Sequence, residues 1–445
     1  VKLPHKLAYS FGAVATALSY QAFSTYIIFF YVDVVKLPAH LAAIAMVIYG
    51  IWNAINDPLA GFISDHTRSR WGRRIPYIAA GAIPFGLIYY LLWVPPFTGV
   101  DQTISLFFYF VIFICLFDGL YTVTILNWAS LFPEMFSSLK ERSQVNAFRQ
   151  TFGMLGLMLG IAAPPLIYGS IGWGWMGLIF GAIISGALLV ALWGSREHMR
   201  YSHEKQLSAW RSFKATFRNR SFMTFVLSNL FVQYTFTIIL ATIPFFTKYV
   251  LDVGTQQTAA ILAVAFLSAI PALYVWSALT VRFGAKRCFM AAMVVLALFI
   301  SPLLFVNSFW GTLATSALAG IGLAGFILIV DVLISDVIDE DELRTGSRRE
   351  GMYFGVNAFI TRFAIGLEAL SMGLIFVLAR YNPYVFTQPR EFLLGLRLLV
   401  AGLPILALLL AFLIISFYPL SGKNLDNMRR KLSQLHAQKK VGRIA

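Results

Sequence analysis

Residues 174–193 and 398–417 are two runs of 20 residues that carry no charge and one serine each. A helix crossing the hydrocarbon core of a bilayer needs about 20 mostly apolar residues, whereas a barrel strand alternates apolar and polar over about ten. Such runs recur from end to end. At roughly 35 residues per span and loop, the 445 residues hold about twelve helices. Composition agrees: 59% of residues are hydrophobic and 12% charged, with a mean hydropathy of +0.74, while soluble domains carry about 25% charged residues. So few charges could not cover the surface of a water-soluble enzyme, and the same numbers exclude intrinsic disorder. The fold class that follows is all-α and integral to a membrane.

Spans are predicted at 7–33, 39–64, 75–95, 104–133, 144–169, 173–194, 221–250, 257–281, 287–307, 309–338, 351–379 and 392–418. Basic residues gather in alternate loops. One set holds Lys2, Lys6, Arg68, Arg70, Arg73, Arg74, Lys140 and Arg142, then 196–220, Arg282, Lys286, Arg287, 344–349 and 423–443. The other has little beyond Lys36, Lys248, Arg380, Arg390 and Arg397. The positive-inside rule then predicts both termini in the cytoplasm, in a multi-pass protein of the cell (inner) membrane. This placement accounts for the net charge of +15 without nucleic acid as a partner. The polar stretch 196–220 separates six spans from six, giving predicted bundles at 1–195 and 221–418, a cytoplasmic linker at 196–220 and a basic cytoplasmic tail at 419–445. Cys115 and Cys288 are too few and too far apart for a disulfide framework or a metal site. The first apolar stretch continues as a span, unlike a cleavable signal peptide.

Val145-Asn146-Ala147-Phe148 returns as Val356-Asn357-Ala358-Phe359, 211 positions on. Gly72-Arg73-Arg74 has a weaker echo in Gly284-Ala285-Lys286-Arg287, 212 positions on. Two echoes at nearly one offset imply a duplicated six-helix unit. Duplications of this kind put a binding site near the midplane between the halves, where rocking alternates its access. That is the architecture of a secondary transporter.

The loop after the second span reads Gly61-Phe-Ile-Ser-Asp65-His-Thr-Arg68-Ser-Arg70-Trp-Gly72-Arg73-Arg74. Its glycines permit close helix approach, and Asp65 with the arginines can form a charged latch; a plain positive-inside anchor is the simpler alternative. The loop resembles the signature loop of the major facilitator superfamily. Just before it stands Trp52-Asn53-Ala-Ile-Asn56-Asp57-Pro58. The run from Trp52 to Arg74 resembles the glycoside–pentoside–hexuronide:cation symporter family, the melibiose-permease-like branch. Ser130-Leu-Phe-Pro133-Glu134, Glu141-Arg142-Ser, and Asp336-Val-Ile-Asp339 leading to Arg349-Glu350 extend the likeness over both halves. It implies a twelve-helix major-facilitator-type fold of two six-helix pseudo-repeats. It also implies alternating-access symport of a sugar, glycoside or sugar acid, with no cofactor beyond a coupling ion, Na+ or H+.

In that family two carboxylates one helical turn apart bind the cation. The second of those positions is Asp57; the first is Asn53. At i and i+4 the two share a helix face. A carboxylate within a span costs about 2.5–3.5 kcal/mol on insertion scales, so it faces a cavity or a partner. Asn56 and Thr122 match two further family cation ligands. An Asn can lend its carbonyl oxygen to Na+, although the site loses one formal charge, and a proton needs only Asp57. Pairing of Asp57 for structure alone is the competing reading.

Family members of the melibiose type carry substrate-binding acids where this chain has Ala17 and Ile125, and neither replacement can accept a hydrogen bond from a sugar hydroxyl. Arg149 and Arg362 match basic positions near the family's substrate site and stand at nearly equivalent places in the repeat. Two arginines suit a carboxylate, sulfonate or phosphate group. Gln21, Asp118, Tyr121 and Trp128 complete the candidate substrate set. Asp118 lies one turn from Thr122 and either neutralises an arginine or extends the cation path. Asp331 and Glu368 are further acids within predicted spans, explained equally by interhelical pairing.

An anionic amphipathic solute such as a lysophospholipid is the alternative substrate, favoured by the lost acids, the kept arginines and 40 phenylalanines. A membrane enzyme is the rival class; the six histidines are scattered and form no metal-binding pattern, so no catalytic role is expected. The expected partners are a small-molecule substrate, the coupling cation and the bilayer, with the chain acting as a monomer.

Overall fold

In a computed structural model the chain is described over residues 2–67, 69, 71–97, 100–136, 139–197, 218–345, 350–422, 424–428, 430–432 and 434. Among the described residues every regular element is a helix. Backbone groups in hydrocarbon must find partners within their own segment or in a closed barrel, and these runs have the helical length. Among the described residues eleven helices are long and apolar enough to cross a membrane: Leu3–Val34, Ala39–Gly61, Ile75–Leu92, Thr103–Phe132, Trp173–Gly194, Arg220–Tyr249, Thr255–Phe283, Ala285–Leu304, Phe309–Thr345, Met352–Leu378 and Arg390–Ser416.

A bent pair, Gln144–Ala162 and Pro164–Ile171, makes the twelfth span, the fifth in chain order. Sequence reading drew it as one helix over 144–169. Its 41° bend falls where Pro164 and Pro165 follow Ala163, because a proline lacks the N–H and crowds the preceding turn. The first span begins earlier than predicted, at Leu3. The tenth, Phe309–Thr345, runs for 37 residues, or about 55 Å, and so outlasts the bilayer by several turns.

Two compact units emerge from the packing. One comprises Val1–Lys205, Leu240–Ala263 and Ala369–Gly395; the other comprises Gln206–Ile239, Val264–Glu368 and Leu396–Ala445. The division therefore differs from a simple split at the linker: the ends of the seventh and eleventh spans and the starts of the eighth and twelfth pack with the first half. Of the predicted linker, residues 198–217 lie outside the described residues, as do 435–445 of the predicted tail.

Within the first unit, the first and fifth spans touch through glycine. A Cβ on Gly156 would stand 2.8 Å from the Val14 carbonyl oxygen, and one on Gly160 would stand 2.8 Å from that of Leu18. Small residues let backbones approach where no hydrophobic drive separates helix from lipid. This contact brings the turn holding Ala17 and Gln21 against the span that carries Arg149.

Candidate functional site

The second span is one helix, Ala39–His66, so Asn53, Asn56 and Asp57 share a stripe facing the fourth span. There the α-helix Thr103–Tyr121 passes into a π-helical stretch, Thr122–Leu126. Wide turns of this kind occur often at functional sites. Asn53 Nδ2 donates to Asp118 Oδ1 at 2.5 Å, and Asn56 Nδ2 donates to Asp118 Oδ2 at 3.1 Å and to its main-chain oxygen at 3.1 Å. One turn along, Thr122 Oγ1 donates to Asp57 Oδ1 at 2.8 Å. Asn53, Asn56, Asp118 and Thr122 are all buried, Asp118 to 2% exposure; Asp57 is half-buried.

Sequence reading put Asp118 among substrate residues. The structure places it with Asn53 and Asn56. Position 53 is an amide, and the facing helix brings a second carboxylate to that amide. The cluster thus holds two acids, two amides and a hydroxyl from two helices.

The remaining substrate candidates are spread over the two units. Trp128 is buried and locked by reciprocal bonds: Tyr9 Oη donates to its carbonyl oxygen at 2.9 Å, and its Nε1 donates to the Tyr9 carbonyl oxygen at 2.9 Å. The Arg149 guanidinium lies 4.7 Å from the Trp128 ring and 4.9 Å from that of Phe132. Its Nε is buried without a hydrogen-bond partner among the described residues. A guanidinium held on aromatic faces keeps its N–H edge for anions. Tyr121 is half-buried, its ring 6.0 Å from that of Tyr20. Gln21 keeps a buried Oε1 with no hydrogen-bond partner among the described residues. Arg362 is half-buried and belongs to the second unit, as do exposed Asp331 and fully buried Glu368.

In the latch loop, Arg68 and the side chain of Asp65 lie outside the described residues. Gly61 is half-buried, with the Leu126 side chain 3.8 Å from where its Cβ would stand. What organises the described part is Glu197, which sequence reading assigned to the linker. Its carboxylate accepts from the backbone N–H groups of Arg73 and Arg74, each at 3.0 Å, and lies 3.6 Å from Arg73 Nε. These N–H groups open the third helix, where an anion is favoured by the helix dipole. Gly72 adopts φ +103°, and a Cβ there would lie 2.2 Å from Glu197 Oε2. No motif marks Glu197, since its partners are 123 and 124 positions away. Nearby, Lys6 Nζ stands 3.0 Å from Glu141 Oε1, and Lys6 holds the Glu141 carboxyl below the usual carboxylate range.

Apolar helices long enough to cross a bilayer, with acids and amides hydrogen-bonded between the second and fourth spans, define a multi-pass membrane protein. Residues 8–422 match the family described as MFS/sugar transport protein, and the chain belongs to that family. It is 27% identical to an uncharacterized symporter of Synechocystis sp., over 96% of each chain. It is 25% identical to the sodium-dependent lysophosphatidylcholine symporter 1 of Gallus gallus, over 97% of this chain and 89% of that one. It is likewise 25% identical to the isoprimeverose transporter of Lactiplantibacillus pentosus, over 97% and 92%. The crystal structure of the nucleoside transporter NupG shares the fold, with a TM-score of 0.69 at 14% identity over 93% of this chain and all of that one. The chain is therefore a transporter of the major-facilitator kind.

Proposed function

We propose that the chain couples uptake of a small organic solute to Na+, which binds among Asn53, Asn56, Asp57, Asp118 and Thr122. The observation that carries this reading is the pair of acids on facing helices, Asp57 and Asp118, each hydrogen-bonded across the gap. A proton needs one acid; two carboxylates with amide and hydroxyl oxygens suit a hard cation. A sodium-dependent symporter among the relatives supports the same ion. Both termini lie in the cytoplasm of a cell-membrane protein acting as a monomer, with the basic loops on the inner face. The solute is a sugar, glycoside or sugar acid, as the family and the isoprimeverose transporter support.

A second substrate reading rests on Arg149. Its guanidinium lies on two aromatic rings, while positions 17 and 125 offer no sugar-binding acid. An anionic amphipathic solute such as a lysophospholipid fits these features. Binding of sugars, uronic acids and lysolipids, each with and without Na+, tests both readings. Na+-dependent binding of any of them supports coupling, and binding indifferent to Na+ throughout contradicts it.

A further inference from the structure

At the end of the bundle away from the latch loop, one acid draws three spans together. Asp33 is 2% exposed. Lys248 Nζ stands 2.5 Å from its Oδ2, and its Oδ1 accepts from the phenols of Tyr249 and Tyr381, the latter at 2.6 Å. Lys36 Nζ donates to the Asp33 main-chain oxygen at 2.6 Å and also to that of Pro383. Asp33 ends the first span, Lys248 and Tyr249 end the seventh, and Tyr381 follows the eleventh. All of these residues lie in one compact unit.

The backbone is shaped for this meeting. Residues Phe29–Val34 form a π-helical stretch. Just beyond the three spans stand Lys36, Asp252 and Arg380, the only non-glycine residues with positive φ among those described. Each takes the left-handed conformation that usually falls to glycine. Such outliers persist where the surroundings over-determine them. An aromatic layer fills the same end, with Phe245 5.0 Å from Phe29 and 4.9 Å from Phe376. The second and eleventh spans touch there too, since a Cβ on Gly373 would lie 2.6 Å from that of Ala43.

We propose that Asp33 is the pin of a gate that closes this end, releasing the first span from the seventh and eleventh when its partners part. A buried carboxylate holding a lysine and two phenols is a discrete, two-state contact: intact it ties three helices, and broken it leaves charges that must find water. The phenol of Tyr381 stays a donor, because burial and the Asp33 charge both push its pKa up. Nothing in this assignment depends on the cation site or on the solute.

The test uses the full chain with Cys115→Ala and Cys288→Ala, and a reporter Phe376→Cys, a position 2% exposed beneath the knot. An impermeant maleimide is added on the face that carries residues 35–38. Labelling is slow in this parent and rises about tenfold or more in Asp33→Asn, with a smaller rise in Lys248→Met and Tyr381→Phe. Should Asp33→Asn fail to fold, the other two carry the test, the Lys248 side chain being 35% exposed. Equal labelling rates in the parent and in every folded variant overturn the gate.

Discussion

Thr122 on the fourth span donates a 2.8 Å hydrogen bond to Asp57 on the second, and one turn away Asp118 accepts from Asn53 and Asn56. Each helix thus contributes one acid and holds the acid of the other. The carboxylate that position 53 lacks has its counterpart across the gap in Asp118.

Asp118→Asn replaces one of the two proposed cation-binding acids and sets an amide against the Asn53 and Asn56 donors. Na+ affinity falls by about tenfold or more, roughly 1.4 kcal/mol, as read from a Na+ titration of thermal stability. An unchanged Na+ midpoint would place the acid outside the cation site.

Gly72→Ala strains a backbone held at φ +103° and drives a methyl into Glu197. The expected loss is about 1–2 kcal/mol of stability, with Glu197→Ala lowering it too by orphaning the N–H groups of Arg73 and Arg74. Thermal unfolding in detergent measures both. If neither variant melts earlier, the loop is not held by this contact.

Arg149→Lys keeps the charge but loses the planar group that lies over Trp128 and Phe132. Arginine and lysine are not interchangeable at stacked sites. Binding of an anionic lysolipid weakens more than binding of a neutral glycoside if the second substrate reading is right. Equal losses for the two ligands sink that reading.

Lys6 keeps Glu141 ionised below the ordinary carboxylate range. A carboxylate depressed on folding stabilises the fold above its unfolded pKa, and the contribution is lost as pH falls through the folded value. That loss begins below about pH 5. Stability of Glu141→Gln against pH should be flatter across that acid window than that of the parent, and parallel curves would show that the pair contributes nothing.

The spans and their number were legible because a bilayer imposes a minimum apolar run; the shared helix face of Asn53 and Asp57 was legible from their spacing, and family resemblance pointed to Asn56 and Thr122. Asp118 was visible as a turn-mate of Thr122, but its partners depend on how the fourth span faces the second, which no spacing within one helix specifies. Glu197 and Asp33 carry no motif at all. Asp33 meets Lys248, Tyr249 and Tyr381 across 215, 216 and 348 positions, contacts that exist only once the spans are packed. The bend in the fifth span was available from Pro164 and Pro165 and was hidden by the continuity of the apolar run.

The central claim is that Asp57 and Asp118 bind the coupling ion. Its most direct test is thermal stability of the purified chain at fixed pH and ionic strength, with Na+ replacing choline stepwise, in the parent and in Asp57→Asn. The account predicts a saturable rise with Na+ in the parent, following the logarithmic dependence of stability on ligand, and no rise in Asp57→Asn. A parent that ignores Na+, or a variant that responds as the parent does, contradicts it.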